Sequence, residues 1–235
     1  MPNFQQRSSA KELLDGNNIP FAHIAQNMRE LDIINQRLGG HRATLKGVQQ
    51  LLKGKRDVLH TPVHIVEIGC GGGDNLSAIQ QWAAENNIAV RLTGVDINEE
   101  CITYAKSIER NNSIEFVASD YRKLFFPSKP HLIFSSLFCH HFTNAQLVQQ
   151  LQWMQQNVLL GFFINDLHRH PLAYYSIKAF TQAFSKSYLV KNDAPLSVLR
   201  GFTKKEWQSL LAQAHITPYK CSWQWAFRWL VTCTV

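Results

Sequence analysis

Apolar residues near the N-terminus follow the spacing of helices. They recur every three or four positions from Phe21 to Leu38, as in an amphipathic helix, and Gly39-Gly40 ends that pattern. A second helical stretch covers Arg42 to Leu52. Together the two stretches predict a helical cap within residues 1–57, ahead of the main fold.

The pattern then alternates between short apolar runs, typical of buried strands, and amphipathic stretches, typical of helices. The predicted strands are Val63–Ile68, Val90–Ile97, Ile114–Ser119, His131–Leu137 and Leu159–Asn165, and the predicted helices are Asn75–Glu85, Glu99–Glu109 and Ala145–Gln156. Such alternation predicts a parallel sheet with helices wound on both faces.

The last third of the chain departs from this alternation. Residues from about 170 to 200 form a helical insertion, and a capping box at Thr203–Glu206 opens another helix. From Tyr219 to Val235 the odd positions are apolar, which predicts a closing hairpin. We therefore predict an α/β fold over residues 58–235: a seven-stranded, mostly parallel, doubly wound sheet with an antiparallel C-terminal hairpin strand.

Composition excludes several classes of protein. A hydrophobic content of 45% in 235 residues supplies one full core, and no apolar run is long enough to cross a bilayer. We therefore expect a cytoplasmic protein with a single main domain. The five cysteines are scattered without C-x-x-C pairing, so neither a disulfide framework nor a zinc site is indicated.

The net charge of +7 is a weak signal for an anionic partner. Lysine and arginine are dispersed, and the densest clusters, Lys53–Arg56 and Lys204–Lys205, are short. No RNA-binding motif with interleaved aromatic residues accompanies them, so nucleic acid is not the expected partner.

A glycine-rich loop follows the first predicted strand and carries the main chemical signal. The sequence from Glu67 to Asp74 reads E-I-G-C-G-G-G-D, with a helix behind it. Such a loop lets the backbone turn tightly beside a ligand. Nicotinamide and flavin enzymes share part of this pattern, but they favour glycine at position 74, and a carboxylate there serves a pyrophosphate poorly. A cationic or zwitterionic ligand fits better.

Carboxylates stand at the ends of three predicted strands. Glu67 lies at the end of the first strand, Asp96 lies at the end of the second, and Asp120 follows the third. Ligands of open α/β sheets bind at this edge, so we expect the three groups to lie together. Asp96 is placed to accept ribose hydroxyls, and Asp120 to accept the exocyclic amine of an adenine.

These residues resemble the class I S-adenosylmethionine-dependent methyltransferases. Their first motif, E/D-x-G-x-G-x-G, matches Glu67 to Gly73, and the likeness extends from Pro62 to Val235. The family's acidic residues after the second and third strands correspond to Asp96 and Asp120, and Phe138–Phe142 resembles its motif after the fourth strand. The resemblance implies S-adenosylmethionine as cofactor, bound by Glu67, Gly69, Cys70, Gly71, Gly73, Asn75, Asp96, Ile97, Asp120, Tyr121 and Leu137.

Two segments indicate a subgroup within this family. Asn165–Tyr174 and Pro195–Arg200 look like a bacterial subgroup thought to methylate phenolic, quinone-like or polyketide-derived metabolites, which implies O- or C-methylation of a small acceptor in secondary metabolism. We expect a monomer or a homodimer. Two alternatives stay open: an RNA methyltransferase, and a non-catalytic protein that only binds S-adenosylmethionine.

Histidines after the fourth strand are the candidate catalytic residues. A base with a pKa near neutrality suits a hydroxyl acceptor, and His141 is our first choice, with His140 second and Asp166 as an orienting partner. Asp166, His168 and His170 have the spacing of weak metal ligands, yet no fourth ligand is evident, and we predict no metal. We expect aromatic residues of the insertion, with Phe21 or Met28 of the cap, to line an apolar acceptor pocket; those of the insertion are Tyr174, Tyr175, Phe180 and Phe184.

Overall fold

A computed structural model describes residues 2–16, 19–55 and 62–235. The strands are β1 (Val63–Ile68), β2 (Val90–Asp96), β3 (Glu115–Ala118), β4 (Leu132–Ser136), β5 (Gly161–Leu167), β6 (Tyr219–Gln224) and β7 (Arg228–Thr234). The helices are α1 (Phe21–Arg37), α2 (Gly40–Leu52), α3 (Asp74–Glu85), α4 (Glu99–Ser107), α5 (Asn144–Gln156), α6 (Pro171–Phe184), α7 (Tyr188–Arg200) and α8 (Lys204–Gln213). Helical and strand periods in the sequence thus correspond to real elements, with ends shifted by at most two residues.

The strands form one sheet in the order β3-β2-β1-β4-β5-β7-β6. The pairs among β1 to β5 are parallel, and β7 runs antiparallel to both β5 and β6. The order reverses between β1 and β4, which is the switch point where α/β sheets bind ligands. The predicted seven-stranded doubly wound sheet is confirmed.

Each face of the sheet has its own hydrophobic core. Phe162 and Trp207 belong to the cluster on one face, and Ile65 and Phe163 belong to the other. Successive strand residues point to opposite faces, so a run such as Phe162-Phe163 supplies both cores. Helix α2 adds Val48 and Leu51 to the second cluster. The boundary predicted between residues 57 and 58 lies outside the described residues.

The structure adds detail to the predicted helical insertion and to the predicted closing hairpin. The insertion consists of the helices α6 and α7, joined at residues 185–187. Strand β7 is buried on both faces, including Arg228 and Leu230 at even positions, because it lies between β5 and β6 under α2. Its alternation of apolar residues therefore does not separate a buried face from a solvated one.

Within the ranges that the structure describes, no helix has both the length and the apolar character required to span a membrane. All five cysteines are free, and four of them are buried.

Candidate active site

The glycine loop connects β1 to α3 and has a left-handed backbone at Gly69, Gly71 and Gly73, with φ of 70°, 49° and 77°. Side-chain packing also demands glycine at the first of these, because a Cβ on Gly69 would lie 2.1 Å from Cδ2 of Phe138. The loop is therefore shaped by the core beneath it as well as by the need to admit a ligand.

Asp96 ties this loop to the end of β2. Its Oδ2 accepts a hydrogen bond from the Gly71 N–H at 2.9 Å, and its Oδ1 accepts one from the Asn98 N–H at 2.9 Å. Burial raises the pKa of Asp96. Each oxygen retains a lone pair, so the carboxylate can still accept from a ligand. The neighbouring Ile97 is 72% exposed, an apolar surface at the cavity wall.

Glu67 lies under the loop and is 1% exposed. Its Oε1 accepts from Asn75 Nδ2 at 3.3 Å, and Asn75 Oδ1 in turn accepts from the Thr44 hydroxyl of α2 at 2.9 Å. Burial and the negative charge of Asp74 raise the pKa of Glu67 well above its usual range. Among the described residues, Oε2 of Glu67 has no hydrogen-bond partner. A cationic group of a ligand would stabilise this carboxylate.

A small cavity of about 140 Å³ lies beyond Asp96, and Asp120 and Tyr121 belong to its wall. Asp120 caps the short 3-10 helix that follows β3 by accepting from the Arg122 N–H, and it also pairs with the Arg122 guanidinium. The Tyr121 ring packs edge-on against Trp153 at a centroid distance of 5.0 Å, and burial raises its pKa to about 12. The pairing with Arg122 was not evident from the sequence.

The remaining predicted cofactor residues differ in what they offer to the cavity. Leu137, directly after β4, has a φ of 52° and donates its N–H to Asn165 O at 2.9 Å. A positive φ at a leucine is a strained conformation that the surrounding structure must maintain. The Cys70 side chain belongs to the core cluster. Because that thiol is buried, the backbone of Cys70 is the part available to a ligand.

A large cavity of about 1340 Å³ extends from the glycine loop toward α1, α6 and α7. Its apolar wall includes Ile24, Met28, Leu31, Ile177, Phe180 and Val190. The expectation for the aromatic residues is only partly correct. Phe180 and Met28 line the cavity, whereas Phe21, Tyr174, Tyr175 and Phe184 do not. Tyr174 packs instead against Phe4, and Phe184 is 73% exposed.

His140 is held between two carboxylates. Its Nδ1 lies 2.8 Å from Asp166 Oδ1, and its Nε2 lies 3.4 Å from Glu12 Oε1. The ring is 3% exposed. Although burial lowers it, the charges of Asp166 and Glu12 raise the pKa of His140 to about 9. His140 is therefore an imidazolium at neutral pH with both ring nitrogens occupied.

His141 is the more accessible of the pair. Its ring lies 4.4 Å from that of His140 and lines the large cavity. Its Nδ1 is 3.0 Å from Asp15 Oδ1, an ion-pair distance, and its Nε2 is 3.8 Å from Glu12 Oε2. Neither ring nitrogen makes a hydrogen bond to a described residue, but Nδ1 is buried, so Nε2 is the ring nitrogen that a second molecule can approach. Asp166, expected as an orienting partner, contacts His140.

Residues 2–16 form a strap over the histidines that sequence reasoning missed. Arg7 donates from Nη2 to the carbonyls of His140 and Phe142 at 3.2 and 2.9 Å. Arg200 at the end of α7 donates to His140 O at 3.0 Å and to Ala10 O at 2.7 Å. This N-terminal strap brings Glu12 and Asp15 to the cavity.

Two groups of side chains have the geometry of incomplete metal sites among the described residues. Glu12, His140 and His141 offer ligand atoms within 4.8 Å of one another, and Asp32, His41 and Asp74 do the same. The trio considered from the sequence is not brought together. Asp166 contacts His140, while the His170 ring stacks on Phe227 at 5.3 Å. That the protein binds no metal at this site stays a prediction.

The buried position of His140 predicts a pH-dependent stability. Its folded-state pKa of about 9 exceeds the ordinary 6.5, so its contribution is complete below pH 6.5 and is lost as pH rises through 9, on the order of 3 kcal/mol. Urea unfolding at pH 6.5 and pH 9 measures this loss. We expect a smaller loss for His140→Gln, and equal losses in the two proteins would contradict this prediction.

Comparison with known proteins agrees with this geometry. Residues 65–159 match the family model described as "Methyltransferase domain". No curated protein sequence matches the chain. The matched segment is less than half of the chain. The match and the sheet order agree with the resemblance to class I methyltransferases.

Solved structures share the fold at low sequence identity. The plantazolicin methyltransferase BpumL, in complex with S-adenosylhomocysteine, aligns with a TM-score of 0.64 and 18% identity over 91% of this chain and 94% of its own. Human N-acetylserotonin methyltransferase, in complex with S-adenosylmethionine, gives 0.63 and 16% over 92% of this chain and 56% of its own. Magnesium protoporphyrin IX methyltransferase from Synechocystis PCC 6803 gives 0.55 and 13% over 93% and 89%.

Proposed function

We propose that this protein transfers a methyl group from S-adenosylmethionine to a small organic acceptor. The observation that carries the proposal is one continuous cavity, which joins the glycine loop to His141 and measures about 1340 Å³. Pockets for a single small ligand have volumes of roughly 300 to 1,000 Å³. The cavity therefore has room for a cofactor and a second molecule beside it.

The residues along the glycine loop suit the parts of S-adenosylmethionine. Asp96 offers acceptor oxygens for ribose hydroxyls at the end of β2, and Ile97 offers an apolar surface for the adenine ring beside the small cavity. Glu67 offers an unpaired buried oxygen to a positive charge. When bound, the cofactor supplies the reactive methyl group, and the protein contributes the position and the dry surroundings that favour in-line transfer.

His141 is the residue we assign to proton transfer. We assign Asp15, whose carboxylate lies at an ion-pair distance from Nδ1, to orienting the ring, and Nε2 to taking the proton of an acceptor hydroxyl. His140 has a different task, because both of its nitrogens already face carboxylates. It holds Glu12 and the N-terminal strap against Asp166, and we describe it as a positioning residue.

The acceptor we favour is a phenolic, quinone-like or polyketide-derived metabolite. Apolar side chains of α1, α6 and α7 line the part of the cavity away from the glycine loop. An apolar wall next to one basic nitrogen suits a planar or aliphatic molecule that carries a hydroxyl or an acidic C–H. The three neighbours are named as methyltransferases of plantazolicin, magnesium protoporphyrin IX and N-acetylserotonin.

Calorimetric titration tests the cofactor assignment. We expect the wild-type protein to bind S-adenosylhomocysteine at micromolar concentration and NAD not at all. Asp96→Ala removes two hydrogen-bond acceptors for the ribose, and each bond to a charged group is worth about 1.5 to 3 kcal/mol, so affinity should fall on the order of 100-fold or more. Binding of NAD alone would overturn the proposal and make Gly69 to Gly73 a dinucleotide loop.

A further inference from the structure

Arg228, the first residue of β7, is a buried cation with unused hydrogen-bond donors. It is 3% exposed and lies in the wall of the large cavity. Nη2 donates to Asn35 Oδ1 at 2.8 Å, but Nε and Nη1 have no partner among the described residues. A buried donor without an acceptor costs free energy, and a buried charge without a counter-ion costs more. The Arg228 guanidinium therefore has no anionic partner among the described residues, and a ligand could supply one.

The charges around Arg228 do not fill this role. No carboxylate of the described residues forms a salt bridge with it. Burial lowers the pKa of Arg228 to about 10, while the more distant charges of Asp166 and Asp74 oppose that shift. The guanidinium is still protonated at neutral pH, and one of its edges is available to an anion with two acceptor oxygens.

The hydrogen bonds of Arg228 lead to the glycine loop. Asn35, which accepts from Arg228, donates its Nδ2 to Asp74 Oδ2 at 2.8 Å. Asp74 is the first residue of α3, directly after Gly73. Two hydrogen bonds thus separate the Arg228 guanidinium from the residue that follows the loop, which places Arg228 on the cofactor's side of the cavity.

Glu67 and Arg228 share one face of the sheet. Leu230 and Ile65 belong to the same core cluster, and strand residues two apart point to the same side. Both Glu67 and Arg228 line the large cavity, and each retains an unpaired polar atom. A carboxylate and a guanidinium that each retain an unpaired polar atom in one cavity are complementary to the two charges of a zwitterion. The α-amino acid group of S-adenosylmethionine is such a zwitterion.

We propose that Arg228 binds the α-carboxylate at the amino-acid end of the cofactor. The inference rests on the proposed function and adds a residue that the glycine motif does not contain. Nη2 has a second N–H besides the one that it donates to Asn35. One edge of the guanidinium, formed by Nη2 with either Nε or Nη1, can therefore donate to the two carboxylate oxygens as a fork, which is the strongest geometry for this pair of groups. Asn35 holds the guanidinium in place for this contact.

Calorimetry with two ligands tests this assignment. S-adenosylhomocysteine carries the amino-acid group, whereas 5′-methylthioadenosine lacks it and keeps the adenosine. Arg228→Met should lower the affinity for the first on the order of 100-fold and leave the affinity for the second within about threefold of wild type. Arg228→Lys keeps the charge without the fork, so its loss should be smaller. Arg91→Met, a removal of an exposed charge at the opposite end of the sheet, should change neither affinity.

Several results would overturn the assignment. One is an Arg228→Met variant that binds S-adenosylhomocysteine as tightly as the wild-type protein does. The assignment would also fail if such a variant instead lost affinity for benzoate, a model of a carboxylated acceptor. Another is an equal loss of affinity for both adenosine ligands in Arg228→Met and Arg228→Lys, which would make Arg228 a structural residue only. Failure of the wild-type protein to bind either ligand would reject the proposed function itself and is distinguishable from both.

Discussion

Replacing His141 with glutamine is expected to lower kcat for methyl transfer by about 10²- to 10⁴-fold, the range that a positioned proton acceptor contributes. Glutamine keeps the polarity and approximate size of the side chain but cannot take a proton at neutral pH. The measurement is the initial rate of S-adenosylhomocysteine formation with a phenol or hydroquinone that the wild-type enzyme methylates. Binding of S-adenosylhomocysteine should not change, because His141 is assigned to the acceptor.

The pH profile adds a readout that a structural role would not affect. A reaction that needs an unprotonated general base loses kcat at low pH, and this limb should be present in the wild-type profile and absent from the residual activity of His141→Gln. His170→Gln is the matched control, since that ring stacks on Phe227 and does not line the cavity. If His141→Gln retained kcat within threefold of wild type, the ring would not be the base.

Much of the fold could be predicted from local sequence patterns. The β1 and α3 segments have unambiguous periods, and the glycine loop between them has one structural meaning, a turn at the switch point of a parallel sheet. The pattern of β7 misleads in one respect. Its odd positions are apolar, but Arg228 and Leu230 between them are also buried, because α2 covers the face that the pattern leaves to solvent.

The partners of the histidines could not be predicted, because they come from distant parts of the chain. Glu12 lies in a polar stretch without periodicity, and only the folded chain brings it to His140, 128 positions later. Arg7 and Arg200 are ordinary basic residues in the sequence, yet both donate to the carbonyl of His140. A motif search finds residues that are close in sequence, so it found the histidines and missed the strap that orients them.

The glycine at position 69 should tolerate no side chain. Two costs add in Gly69→Ala: a non-glycine residue at a φ of 70° is strained by about 1 to 3 kcal/mol, and overlap of the new Cβ with the Phe138 ring costs about 1 to 3 kcal/mol more. We expect the free energy of unfolding, measured in urea, to fall by roughly 2 to 6 kcal/mol, a large fraction of the 5 to 15 kcal/mol typical of folded proteins.

Gly54 provides the matched control that separates the two costs. Its φ of 72° is nearly the same, but a Cβ there meets no atom within 4 Å, so Gly54→Ala should show the backbone cost alone, about 1 to 3 kcal/mol. Equal losses in the two variants would mean that the Phe138 ring moves aside freely. A larger loss in Gly69→Ala, accompanied by loss of S-adenosylhomocysteine binding, would show that the ring after β4 and the turn after β1 are packed as one unit. Because His140 and His141 lie two and three residues after Phe138 in the chain, that packing would help to fix the distance between the glycine loop and the proposed base.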